Sequence, residues 1–146
     1  MRLMCWNFRG LNDPGKRREV VNRVASLRLT IFALLETHVH PEKECQVAQA
    51  FPKFDHFASF FEDTNGRVWV FWDSSACSMD ILHTTSQFVH CRAGFSSHMV
   101  VFTFVYAYNT FLLRRPLWQD LRLLGLTDEP WCVMGDFNSV LFSHER

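Results

Sequence analysis

Trp131-Cys132-Val133-Met134-Gly135-Asp136-Phe137-Asn138 is an apolar run closed by a glycine, a carboxylate, an aromatic ring and an amide. The run reads as a buried strand that Gly135 breaks. In extended chain, residues i and i+2 point the same way, so Asp136 and Asn138 share a direction while Phe137 turns into the core. Glycine at 135 lets the backbone turn sharply or approach a ligand closely. Taken singly, Gly-Asp-x-Asn is a turn as often as a catalytic element, and its meaning depends on what precedes it.

Working outward, Leu117, Leu121 and Leu124 fall on one helical face that begins just after Pro116. Before that helix come Phe57–Phe61, Val68–Trp72, Met79–Thr84, Phe88–Cys91 and Met99–Tyr106, all rich in β-branched and aromatic residues and strand-like. Asp63-Thr64-Asn65-Gly66 is a good hairpin turn between the first two. Further back, Val20, Val21, Val24 and Leu27 predict a helix over 15–28, and Ile31–Leu35 is a continuous apolar strand. Pro41 opens a short helix through about Ala50, with Glu42 and Glu44 suited to its positive start. Leu3–Trp6 is a short buried strand feeding a loop. The order is β-α-β-α, a run of β hairpins, then α-β. This order favours a layered α/β sandwich of packed mixed sheets flanked by helices over an all-parallel, doubly wound fold. No linker or repeat divides 1–146, so it reads as one domain.

Composition narrows the function classes. Fifteen basic residues balance fifteen acidic ones among 146, so no net field advertises a nucleic acid or a membrane. Lys16-Arg17-Arg18 and Arg114-Arg115 are local basic clusters, read equally well as solvated helix ends or as phosphate contacts. Five scattered cysteines without a CxxC suit reduced packing thiols in a nuclear or cytoplasmic protein. The N-terminus does not read as a signal peptide, and no apolar run reaches the roughly eighteen residues a membrane span needs.

Polar residues stand at the ends of four apolar strands: Asn7, Glu36, Tyr106 with Asn109, and Asp136 with Asn138. Strand ends are where a rigid scaffold can aim side chains into one cleft. Converging carboxylates and amides form the oxygen-rich set that Mg²⁺ prefers. Each signal is weak alone, and their order along the chain gives them weight. A zinc set built from His38, His40 and Cys45 lacks a fourth ligand at sensible spacing.

The blocks Cys5-Trp6-Asn7-Phe8-Arg9-Gly10-Leu11-Asn12, Leu35-Glu36-Thr37-His38, Tyr106-Ala107-Tyr108-Asn109 and Met134-Gly135-Asp136-Phe137-Asn138 occur in that order. Together they resemble the endonuclease/exonuclease/phosphatase superfamily. More narrowly, they resemble the endonuclease domain of plant long interspersed (non-LTR) retroelements. Gly66-Arg67-Val68-Trp69-Val70-Phe71-Trp72-Asp73 and Arg114-Arg115-Pro116-Leu117-Trp118 are similar to linking segments of that subgroup.

The resemblance implies a deoxyribonuclease-like sandwich and a Mg²⁺- or Mn²⁺-dependent phosphodiesterase that nicks DNA. It implies Glu36 as principal metal ligand with Asn7 beside it. Asp136 would orient or deprotonate the attacking water, Asn138 would bond the phosphate or that water, and Tyr106 would donate its hydroxyl. Asn109, Arg114 and Arg115 would lie along the DNA backbone. Complete relatives continue into a further Asp and a late Asp-His pair. The resemblance therefore implies a domain lacking its C-terminal part, a second sheet left incomplete, and an inactive chain. Two alternatives stay open: a non-catalytic retroelement remnant that binds nucleic acid or protein, and a lipid or phosphoinositide phosphodiesterase.

Overall fold

Ile31–Leu35 is apolar at every position because both of its faces are covered. In the computed structural model, which describes residues 1–60 and 66–139, it begins β2 (Ile31–Val39), a central strand of the first sheet. β1 (Leu3–Asn7) runs parallel to it, with Asn7 opposite Leu35. On its other side β4 (Gly66–Trp72) runs antiparallel, followed by β3 (Asp55–Ala58). The second sheet is a meander of β5 (Ser78–Thr84), β6 (Phe88–Phe95) and β7 (His98–Tyr106), with β8 (Trp131–Asp136) added parallel to β7. Each sheet is thus mixed, and the expected α/β sandwich of two packed sheets with flanking helices is what the chain forms.

Strand alternation sorts the core into three layers. Ile31, Ala33, Leu35, Val68 and Val70 face Val89, Cys91, Ala93, Phe102 and Phe104 between the sheets. Phe32, Leu34, Trp69 and Phe71 point the other way, against Val20 and Val24 of α1 (Pro14–Leu27) and Val47 of α2 (Glu44–Ala48). A 3₁₀ turn, Pro41–Lys43, precedes α2. Phe88 and Val105 meet Leu117 of α3 (Phe111–Leu124) on the outer face of the second sheet. α1 starts where it does because the Asp13 carboxylate accepts from the N–H groups of Gly15 and Lys16 at 2.7 and 3.0 Å.

Three expectations need correction. The third helix begins at Phe111, and Pro116 lies inside it. The N–H that proline lacks would serve Leu112, which is 73% exposed, so solvent can serve that carbonyl instead. Gly135 does not break the last strand, which continues to Asp136. Its φ of +147° and contact with the neighbouring strand make it necessary: a Cβ there would sit 2.0 Å from the Val105 carbonyl oxygen. The close approach that glycine permits is to β7. The strand expected at Phe57–Phe61 is β3, Asp55–Ala58. Of the hairpin turn Asp63-Thr64-Asn65-Gly66, the first three residues lie outside the described residues and Gly66 begins β4.

Candidate active site

Two parallel strand pairs build the site. β1 and β2 deliver Asn7 and Glu36 to one end of the first sheet. β7 and β8 deliver Tyr106 and Asp136, which are register partners, to one end of the second. Asn7, Tyr106 and Asp136 end their strands, and Glu36 sits at the irregularity within β2. Across the sandwich, Asn7 Nδ2 donates to Asp136 Oδ2 at 2.7 Å. A cavity of about 360 Å³ lies between β1 and β8, with Asn7, Leu35, Gly135 and Asp136 in its wall. A larger one, about 490 Å³, opens near Thr30 and Asp73, at the far end of the first sheet, and is lined mainly by apolar side chains of α1 and the Phe51–Phe54 segment.

The backbone is irregular where it carries the chemistry. Glu36 and His38 have φ of 57° and 53°, and the register between β2 and β4 shifts between Leu35 and Val39. Arg9, at φ 50°, lies in the loop that covers this bulge. Gly10 and Leu11 N–H groups donate to the carbonyls of Glu36 and Thr37 at 2.8 Å, and Asn12 Nδ2 donates to the His38 carbonyl at 2.7 Å. Of the five non-glycine residues at positive φ among the described residues, Arg28 caps α1, while Arg9, Glu36, His38 and Asn138 belong to this end of the molecule. Left-handed conformations cost energy and persist where the surroundings fix them, which is common at functional sites.

Each expected residue has a definite place. The Glu36 carboxylate, 22% exposed, has Arg9 Nε at 3.7 Å and His38 Nε2 at 3.4 Å. Asn7 Oδ1 is buried and has no hydrogen-bond partner among the described residues, although its amide nitrogen is engaged by Asp136. Asp136 Oδ1 accepts from the N–H of Asn138 at 2.9 Å. Burial, and then the Glu36 carboxylate, push the Tyr106 hydroxyl above its ordinary pKa, with Arg67 pulling the other way. It remains a protonated donor near neutrality. Cys5, behind Asp136, is pushed up to about 12 by burial and then by that carboxylate, so it is an inert thiol.

Two expected residues, Asn138 and Arg114, differ from the sequence reading. Asn138 is not extended: at φ 47° it closes a turn, and its Nδ2 donates to the Ala107 carbonyl at 2.6 Å. Phe137 does turn away, stacking on Trp118 of α3 at 5.7 Å between centroids. Arg114 is buried at 9% exposure, and its Nη1 donates to the backbone carbonyls of Tyr108, Asn109 and Asn138. It ties two site loops together from inside the protein and does not stand on the surface as a phosphate contact. Asn109 and Arg115 are exposed, on the loop after β7 and on α3. The zinc set does not form: among the described residues no three His, Cys, Asp or Glu side chains gather into a metal-binding group.

One residue in this region had no role in the sequence reading. Arg67, at the start of β4, holds its guanidinium 4.6 Å from the Tyr108 ring centroid and 5.6 Å from that of Tyr106. Finding it required the register of β4 against β2, which places Val68 opposite Leu35 and hence Arg67 next to the Glu36 bulge.

The chain is a sandwich of two mixed sheets, with Asn7, Tyr106 and Asp136 ending their strands and Glu36 at the irregularity within β2. The chain belongs to the endonuclease/exonuclease/phosphatase family, whose sequence model matches residues 4–146. No match was found among curated protein sequences. Among solved structures it is similar to the endonuclease domain of TRAS1, a telomere-specific non-LTR retrotransposon, with TM-score 0.75 and 13% identity over 96% of this chain and 61% of that one. It is also similar to D. rerio TDP2 complexed with a single-strand DNA product, with TM-score 0.70 and 14% identity over 94% of this chain and 60% of that one. A third relative is ANGEL2, a 2′,3′-cyclic phosphatase, with TM-score 0.69 and 9% identity over 97% of this chain and 53% of that one. The chain thus spans 53% to 61% of the length of these three. At such identities the likeness is one of fold. Among the described residues no helix is long and apolar enough to cross a membrane.

Proposed function

We propose that this chain carries the metal-holding and water-directing part of a DNA phosphodiesterase site, of the kind found in retroelement endonucleases. The observation that carries the reading is Asn7 Oδ1, a buried oxygen without a hydrogen-bond partner among the described residues. It stands at the strand end adjoining Glu36, and Asp136 fixes its nitrogen. Leaving such an atom unsatisfied costs free energy, which a hard cation would recover. The residues fit: Glu36 and Asn7 would hold Mg²⁺ or Mn²⁺. A divalent cation there supplies neutralisation of the charge that develops on the scissile phosphate and leaving oxygen.

The remaining steps fall to the chain's own groups. Asp136, held by the Asn7 amide and the Asn138 N–H, orients the attacking water and takes its proton. Tyr106 donates its hydroxyl to a phosphate oxygen. Asn138 keeps the Asp136 loop against Ala107, with its own side-chain oxygen left to meet the phosphate or that water. Asn109 and Arg115, both exposed, contact the DNA backbone without reading its sequence. Likeness to the TRAS1 domain and the segments Gly66–Asp73 and Arg114–Trp118 support the retroelement branch over a lipid phosphodiesterase.

Proton delivery to the leaving oxygen has no assigned residue. Among the described residues no histidine is hydrogen-bonded to Asp136, and His38 is turned to Glu36. The chain alone is therefore expected to bind without cleaving, since acid/base assistance is typically worth about 10²–10⁴-fold. Supercoiled plasmid with Mg²⁺ tests this, and the expected result is no nicking. Nicking abolished by Glu36→Ala and by Asp136→Ala would overturn the inactivity while keeping the site. Nicking indifferent to both would overturn the site.

A further inference from the structure

Two groups that the proposed function sets against DNA, the Tyr106 hydroxyl and the Asn109 side chain, belong to 106–109, where the chain leaves β7. A chain leaving a strand must find new partners for its backbone N–H and carbonyl groups. Here one residue supplies several. Gln87, the residue before β6, is 4% exposed. Its Oε1 accepts from the Tyr108 N–H at 3.0 Å, and its Nε2 donates to the Leu113 carbonyl of α3 at 3.1 Å. Its own carbonyl accepts from the Tyr106 N–H at 2.8 Å, and its N–H donates to the Thr85 hydroxyl at 3.1 Å. Arg114 donates to the Tyr108 and Asn109 carbonyls. Tyr108 is thus fixed at its N–H by Gln87 and at its carbonyl by Arg114.

We propose that Gln87 is a positioning residue for DNA binding: its side-chain amide sets the path of 106–109, and so where this segment meets the sugar-phosphate backbone. An amide suits this place because it accepts from an N–H and donates to a carbonyl at once. A methionine of similar size does neither, and a carboxylate accepts but cannot donate. With the amide gone, the Tyr108 N–H loses its partner, and the segment shifts to find another. A displacement of about an ångström is enough to misplace a contact group. The Tyr108 ring reports such a displacement, because it stands 4.6 Å from the Arg67 guanidinium when the segment is in place. The inference rests on the reading of this site as one that binds DNA, and it adds the residue that holds the contact segment.

Tyr106 and Tyr108 are the two tyrosines of the chain, so 3-fluorotyrosine labelling gives two fluorine resonances, both from this segment. The test pairs fluorine NMR with anisotropy of a fluorescein-labelled single-stranded DNA decamer, titrated with purified chain in EDTA. EDTA separates the outcome from that of cation binding at Glu36. Gln87→Met is expected to shift or broaden the Tyr108 resonance, which is assigned by its absence from Tyr108→Phe. It should also weaken decamer binding about tenfold. Val24→Ala opens a cavity between α1 and the first sheet, so it lowers stability but should leave both readouts at wild type. Gln87→Glu keeps the test decisive if Gln87→Met unfolds. Its carboxyl, once protonated, accepts and donates as the amide does, so the Tyr108 resonance should return toward its wild-type position as pH falls. Gln87→Met with wild-type resonances and affinity, at whatever stability, would reduce Gln87 to a structural bond and overturn the inference. A loss of affinity matched by Val24→Ala would overturn it too, as would a Gln87→Glu spectrum indifferent to pH. Wild-type chain that ignores the decamer would instead overturn the DNA reading itself, and the role of Gln87 with it.

Discussion

Asn7 and Asp136, 2.7 Å apart and 129 positions distant in sequence, join the ends of β1 and β8 across the two sheets. A single amide–carboxylate bond thereby sets the geometry of the site, because each partner is the last residue of its strand. Asp136 is further pinned by the N–H of Asn138, so the carboxylate's orientation is set from two sides.

Gly135 is the residue on which the approach of β8 to β7 depends. Gly135→Ala would place Cβ 2.0 Å from the Val105 carbonyl oxygen and 2.7 Å from its carbonyl carbon, in a φ region that L residues rarely adopt. The strand must move, and Asp136 moves with it. Urea denaturation is expected to show a loss of about 3 kcal/mol or more. A loss below about 1 kcal/mol would mean that β8 tolerates displacement.

Arg114 has an internal role that its neighbour Arg115 lacks. Arg114→Ala removes donors from the Tyr108, Asn109 and Asn138 carbonyls and is expected to cost roughly 1.5–3 kcal/mol of stability. The salt slope of DNA binding should stay unchanged. Arg115→Ala should leave thermal stability unchanged, since Arg115 is exposed on α3. A flattened salt slope in Arg114→Ala at wild-type stability would return Arg114 to the DNA-contacting set.

On the outer face of the second sheet, the Thr103 hydroxyl accepts from Trp131 Nε1 at 2.8 Å and meets His90 Nδ1 at 2.8 Å. Thr103→Val would leave the indole N–H without its partner, costing about 1–3 kcal/mol by denaturant titration. The same group gives a pH dependence. Burial, then His83 and Arg92, hold His90 below its usual 6.5, against a smaller opposing pull from Glu129. The unfolded chain therefore takes up this proton first as pH falls. The His90 contribution is fully present above 6.5 and is lost between there and the lower folded value. His90→Phe should flatten thermal stability against pH in that window. An unchanged pH profile would assign the dependence to other groups.

How much of this the sequence disclosed follows from physics that is local in one case and non-local in the other. Ile31–Leu35 and Trp131–Met134 were legible because burial on both faces leaves an unbroken apolar run. Val20 and Val24 marked α1 because one helical face must meet the first sheet. Asn7, Glu36, Tyr106 and Asp136 stand out in the sequence as polar residues closing apolar runs. Their convergence depends on two parallel pairings that no local pattern encodes. The bulge at Glu36 and His38 is invisible in composition, since neither residue is a glycine. Gly135 was open to two readings, ligand approach and turn, and a third held: approach to Val105. Proline is favoured in the first turn of a helix, so Pro116 suggests a helix start, whereas the helix begins at Phe111 and Leu112, the residue Pro116 would have bonded, is exposed. Arg67 gained its meaning only from register.

If Asn7 and Glu36 form a divalent-cation site, titration of the purified chain with Mn²⁺, followed by electron paramagnetic resonance of the free ion, will reveal it. The expected result is a saturable class of bound Mn²⁺ that Mg²⁺ displaces, that Glu36→Ala abolishes and that Asn7→Ala weakens about tenfold or more. No uptake of Mn²⁺ by wild-type chain, or equal uptake by Glu36→Ala, would rule out the cation site.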